Sequence, residues 1–282
     1  MRTRPDFSAT CSQRKLATDM QKFKNFIKAY LKTLLFFGIV GLVGGFFVGL
    51  YTLDSYPADM KQQILDELKS SGLGDLPADI VMAIISAYQA MIYGFLLGAI
   101  GIFLGKRIGL WRDERSIEKK PLIITLVIAL IGGLTLILSD VFVFGPLCSP
   151  IMESYAEKPS IPYLIATVTY GGVIEEVMLR LFMMSLVAFL LHKIFDKGRD
   201  QTSTAVLLVA NVISALLFAA AHLPATFAMI GSSSLIIARC FLLNGGIGLL
   251  FGYLYRRYGL RYAMIAHGGC HVISKLIWIL FI

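Results

Sequence analysis

Seven long apolar runs, all but one nearly free of charge, divide this chain and restrict its fold more than any other feature. They lie at 33–53, 81–105, 121–144, 161–191, 202–222, 235–255 and 260–282. A bilayer core about 30 Å thick takes roughly 20 apolar residues per helical span. The expected fold is therefore all-α, a polytopic transmembrane bundle of about seven to eight spans. Composition agrees: of 282 residues, 57% are hydrophobic and only 16% charged, and the mean hydropathy of +0.74 lies far from that of an ordinary soluble domain. The first apolar run begins only near Leu34 and has no small-residue cleavage site, so the start reads as retained rather than as a secretory signal.

The formal charge of +8 would suggest nucleic acid in a soluble protein. Here the basic residues sit between the runs, where membrane topology accounts for them, and no nucleic-acid partner is expected. Lys plus Arg number eight in 1–32, two in 54–80, six in 106–120, one in 145–160, three in 192–201, none in 223–234 and two in 256–258. High and low alternate without a break, which predicts a cytoplasmic amino terminus and, with seven spans, an external carboxyl terminus. Nothing resembles an organelle-targeting segment, so the expected location is a prokaryotic plasma membrane.

Three regions follow from this pattern. Residues 1–32 form a basic cytoplasmic extension suited to anionic lipid, 33–120 hold the first spans and their loops, and 121–282 hold the remaining spans and all the chemistry. In 54–80, Met60, Ile64, Leu65 and Leu68 recur at helical spacing, as in a surface-lying or plain loop helix. Gly41, Gly45 and Gly49, then Gly94 with Gly98 and Gly101 with Gly105, are four apart and predict closely packed scaffold helices. The four cysteines, Cys11, Cys148, Cys240 and Cys270, form no Cys-x-x-Cys pair and read as packing residues.

The fourth run breaks the apolar rule, because Tyr170-Gly-Gly-Val-Ile-Glu-Glu-Val-Met-Leu-Arg180 places Glu175, Glu176 and Arg180 within it. A charged side chain at a helix centre costs roughly 2.5–3.5 kcal/mol on insertion scales, so three together require partners or a wet cavity. On an α-helix Glu176 and Arg180 share a face at i and i+4, while Glu175 points about 100° away. One acid is then structural and the other free to act as a base. Gly171 and Gly172, one turn earlier, are expected to leave room for a water or a substrate backbone. A simple ion pair locking two helices is the alternative, but it gives no reason for the second acid.

Of four histidines, three fall in the last three runs: His222, His267 and His271. His267 and His271 share one helix face, beside the low surface of Gly268 and Gly269. His192 reads as an interfacial residue. Glu175-Glu176-x-x-x-Arg180, Phe218-x-x-x-His222 and His267-x-x-x-His271 occur in that order. The set resembles the CAAX-protease and bacteriocin-processing family of intramembrane endopeptidases, also called the CPBP or Abi family. The resemblance covers roughly 121–282.

It implies a membrane bundle in which glutamate-activated water hydrolyses a peptide bond near or within the bilayer. Glu175 would be the general base, His222 would orient the water, and His267 with residue 271 would stabilise the oxyanion. Glu176 and Arg180 would shape the site. Where the family has Asn or Asp, this chain has His271, an imidazole that also donates N–H but titrates and binds metals. The substrate implied is a membrane-associated or precursor peptide, with no cofactor.

Three other readings remain beside it. A zinc-dependent protease would use His222, His267, His271 and a glutamate as ligands, although no His-Glu-x-x-His is present. A proton-coupled transporter would run a relay through Glu175, Glu176, Arg180, Arg239 and Asn244. A non-catalytic immunity or scaffold protein would keep the motifs as a relic. One feature is awkward for straight spans: at about 1.5 Å per residue, Glu175 lies mid-span, His222 near an outer end and His267 near an inner end. Tilted or re-entrant helices, or an eighth span, would be needed to join them.

Overall fold

The computed structural model describes residues 7–113 and 116–282, with side chains from 18 onward apart from 54. The first six residues of the basic extension and the side chain of Cys11 lie outside the described residues. Eight helices organise the rest: α1 (Phe7–Ser55), α2 (Ala58–Ser70), α3 (Ala78–Arg107), α4 (Lys119–Leu147), a continuous helical run α5 (161–195), α6 (Thr204–Ile230), α7 (Ser234–Tyr258) and α8 (Leu260–Phe281). No strand occurs among the described residues. Six of these helices, all but α2 and α5, are long and apolar enough to cross a membrane. The chain is an integral membrane protein, and α5, with Glu175, Glu176 and Arg180 near its centre, runs through the middle of the bundle as a seventh long segment.

Two boundaries differ from the sequence expectation. The basic extension is no separate segment from Phe7 onward but the first turns of α1. No Gly or Pro interrupts 7–37, and Lys, Gln, Ala and Met favour helix, so nothing stops the span from winding outward. Phe26, Ile27 and Tyr30 then pack against the main core. At the other boundary, α6 does not end at His222 but continues through Pro224 to Ile230. Proline removes the bond to the carbonyl four residues back, yet flanking apolar residues keep the chain helical. His222 consequently sits about two turns inside the helix end rather than at it.

The small-residue ladders act as expected in the first spans. A Cβ added at Gly41, Gly45 or Gly49 would overlap the backbone of Ala90, Ser86 or Met82 on α3, so α1 and α3 lie in close backbone contact. Among the cysteines, Cys240 and Cys270 are buried and reduced, with their thiols directed at the Ala219 and Ile128 carbonyls, and Cys148 is half-buried. The segment expected to be a surface or loop helix forms α2, and Leu68 is its buried residue.

The placement of α5 sets up the functional site. Its first half packs between α1 and α8, and its second half between α3 and α6. Most of that middle is wound as π-helix, Thr167–Glu175 and then Val177–Met184, with Glu176 between them. Single π turns inside α-helices are rare and concentrate at functional sites. Gly172 permits the crossing with α8, where an added Cβ would come within 2.9 Å of the Gly268 Cα.

Candidate active site

Glu176 and Arg180 are both fully buried. They face each other at 3.4 Å between Arg180 Nε and Glu176 Oε2, the ion pair that i,i+4 spacing predicts. Arg180 is held from three further sides. Its Nη2 donates to the Gly248 carbonyl at 3.0 Å, and its guanidinium lies over the rings of Phe218 at 4.5 Å and Phe251 at 5.7 Å. Any side chain at Gly248 would meet Arg180 Nη2 at 3.0 Å, so that glycine makes the seat. Desolvating a guanidinium is costly, and a carbonyl, a carboxylate and two aromatic faces together offset the loss of water.

The second oxygen of Glu176 reaches α8, where His267 Nδ1 donates to Glu176 Oε1 at 2.9 Å. Since an ionised carboxylate only accepts, Nδ1 carries the proton and Nε2 is left to face inward. Phe251 stacks on the His267 ring at 4.6 Å and Phe218 meets it edge-on at 5.6 Å, so the ring is held on both sides. His222 is fixed by the same logic. Its Nδ1 lies 2.8 Å from the Phe218 carbonyl, which can only accept, and its ring meets the Phe218 ring at 4.6 Å. Helical side chains lean toward the amino terminus, and this one lies a full turn below its own Cα.

Both imidazoles therefore direct Nε2 at one atom. His222 Nε2 and His267 Nε2 each lie 3.9 Å from Glu175 Oε2, which is buried and has no hydrogen-bond partner among the described residues. The separation that straight spans imposed on these residues is removed by the longer α6, the lean of His222 and the central path of α5. Of the six expected site residues, Glu175, Glu176, Arg180, His222 and His267 form one connected cluster. His271 stands beside it: its ring centroid is 4.9 Å from that of His267, but it makes no ion pair with either glutamate.

Gly171 and Gly172 serve a different purpose from the one expected. The space above Gly171 is occupied by His271, whose Nε2 would lie 3.0 Å from an added Cβ, and Gly172 abuts Gly268. Both glycines admit α8 rather than water or substrate. The relay expected of a transporter is also broken. Arg239 is ion-paired to Asp140 and Asn244 donates to the Cys240 thiol, so neither joins the glutamates. Sequence reasoning missed Phe251 and Gly248, which hold His267 and Arg180 but carry no chemistry a motif would show. Among the described residues no three His, Cys, Asp or Glu side chains are grouped to hold a metal ion.

Residues 157–273, somewhat under half the chain, match the family model described as Type II CAAX prenyl endopeptidase Rce1-like. Over that segment the chain is similar to the CAAX-protease family. The matched segment contains every member of the cluster and excludes the first four helices. The match indicates a membrane-embedded protease, a peptide hydrolase, in line with the three motifs. No curated protein and no solved structure matches the chain.

Proposed function

We propose that the chain is a glutamate-dependent intramembrane endopeptidase. The observation that carries this reading is the convergence of His222 Nε2 and His267 Nε2 on the unpartnered Glu175 Oε2, each at 3.9 Å. A gap of that size is too long for a direct hydrogen bond and suits a water bound off the line between the two groups. Glu175 takes a proton from that water while His222 Nε2 accepts its other hydrogen and aims the oxygen at the peptide carbonyl; as the tetrahedral intermediate collapses and the C–N bond breaks, Glu175 returns the proton to the leaving amine. To support the oxyanion, His267 Nε2 must donate. With Nδ1–H already on Glu176, His267 then acts as an imidazolium balanced by the Glu176 carboxylate. Glu176, locked by Arg180, is thus a positioning residue for His267, comparable in logic to the carboxylate that orients a catalytic histidine in a triad. His271 packs behind His267 and backs its ring.

The mechanism needs no metal. The family model's description suggests a substrate cut near a prenylated carboxyl end, and a membrane-associated peptide is the substrate class proposed here. The alternating Lys and Arg counts favour a cytoplasmic amino terminus, and a prokaryotic plasma membrane is the location proposed. The test is cleavage of a membrane-peptide library by purified wild type, Glu175→Gln and His222→Ala in nanodiscs, each with and without a zinc chelator. Cleavage that survives chelation and vanishes in both variants is the expected result. Loss on chelation would favour zinc, and cleavage equal in all three proteins would overturn the reading.

A further inference from the structure

The basic end of the bundle carries a cleft that the protease reading leaves unused. Where α5 leaves the gap between α1 and α8 for its place against α3 and α6, the two outer helices enclose a cavity of about 670 Å³, roofed by Trp111–Asp113. That volume falls in the range of small-ligand sites. Its polarity is graded in the same direction on both walls. On α1, Lys32 is followed one turn deeper by Phe36; on α8, Arg261 is followed one turn deeper by Met264. Tyr30, Trp111 and Tyr258 sit at the mouth, with apolar bodies and polar tips suited to a membrane interface.

The charge of the mouth is strongly one-sided. A second cleft of about 270 Å³ shares Arg112 and Tyr258 with the first and adds Lys120 and Arg257. Across the two, among the described residues, five cations face Asp113 and Glu118. Asp113 is already engaged by the Trp111 indole at 2.7 Å, the Tyr30 hydroxyl at 3.3 Å and Lys106 at 3.7 Å. A topological bias toward basic loops explains cations at this end. It does not explain a hollow whose walls turn from cationic to apolar over one helical turn.

We propose that the larger cleft binds one anionic phospholipid, its phosphate held by Lys32 and Arg261 and its chain lying along Phe36 and Met264. Met264 is three residues before His267, so the bound lipid braces α8 directly beneath the cluster. The inference is independent of the chemistry assigned to that cluster.

Native mass spectrometry of the detergent-purified full chain tests it, with phosphatidylglycerol, phosphatidylcholine of the same acyl chains, and glycerol phosphate as probes. Wild type should retain phosphatidylglycerol at least about tenfold better than phosphatidylcholine. Lys32→Gln with Arg261→Gln should weaken that retention by about 30-fold, at roughly 1 kcal/mol per basic side chain near lipid. Ala29→Trp, which fills the cleft with the charges in place, should abolish it, while Lys193→Gln with Lys197→Gln, elsewhere on the same end, should not. Circular dichroism and elution volume check that each variant is folded. Equal retention of the two lipids, wild-type retention by both cleft variants, an equal loss in the distant pair, or full competition by glycerol phosphate would each overturn the lipid site.

Discussion

Two buried charged clusters lie in these helices, and they differ in how completely they are satisfied. At one, Asp140 of α4 is ion-paired through both oxygens to Arg239 of α7 and accepts from the Tyr155 hydroxyl at 2.6 Å. Burial first, and the Asp140 charge second, hold the Tyr155 phenol above its ordinary pKa, so it stays a donor. Trp278 then donates to the Tyr155 carbonyl at 3.1 Å, tying α8 to the same knot. At the other, Glu175 Oε2, Arg180 Nη1 and His271 Nδ1 are buried without a hydrogen-bond partner among the described residues. Polar groups sealed in an apolar interior are normally paired. The closed knot ties helices together; the open one leaves polar groups unpaired, as the proposed protease site requires.

This contrast is broken or sharpened by substitution. The largest effect is expected from Glu175→Gln, which should lower cleavage by about 10⁴-fold with thermal stability unchanged, measured as turnover and melting in nanodiscs. Asp140→Ala should do the reverse. Leaving Arg239 buried and unpaired should cost about 3–5 kcal/mol, while the folded fraction keeps its turnover; Asp140→Leu with Arg239→Met should regain most of the loss, as read by denaturant titration. His222→Ala should lower turnover by about 10²–10³-fold without moving the melting point. Glu176→Gln should cost about 10- to 100-fold, the range for groups that orient another ligand or base, and Glu176→Asp should restore part of it.

The smallest effect lies outside both clusters, in the turn between α5 and α6. The Ser203 backbone N–H, at 2.7 Å, holds the Asp196 carboxyl below its ordinary pKa, with Arg199 and His192 adding to it. A depressed carboxyl stabilises the fold above the ordinary carboxylate range and loses that contribution as pH falls through the lowered value. Melting in acid should therefore steepen below about pH 4 in wild type and less so in Asp196→Asn.

The open cluster was far more legible in sequence than the closed one. Glu175, Glu176, Arg180 and three histidines are conspicuous in apolar runs because each is costly there. Asp140 and Arg239 are equally costly, but 99 residues separate them, and no local spacing announces a pair made by tertiary contact. The same reason hid Phe251 and Gly248, whose roles exist only once α7 lies against α5 and α8. The span count was approximately readable from length and hydropathy, about seven to eight against six long apolar helices plus α5, whereas the ends of α1 and α6 were not. A helix continues wherever nothing stops it, and hydropathy marks only where lipid ends.

The π-wound middle of α5 stores a little extra chain in a helix that is otherwise as long as it needs to be. Removing a single residue between Thr167 and Ile174 would draw one wide turn back to the tighter winding and change how the side chains of that stretch are turned toward their neighbours. Every side chain of the cluster would survive such a deletion, yet Glu175 would swing out of line with the two imidazoles. Compared with any point substitution, it is an edit of aim rather than of chemistry, and it makes the count of residues along α5 as much a part of the proposed site as their identity.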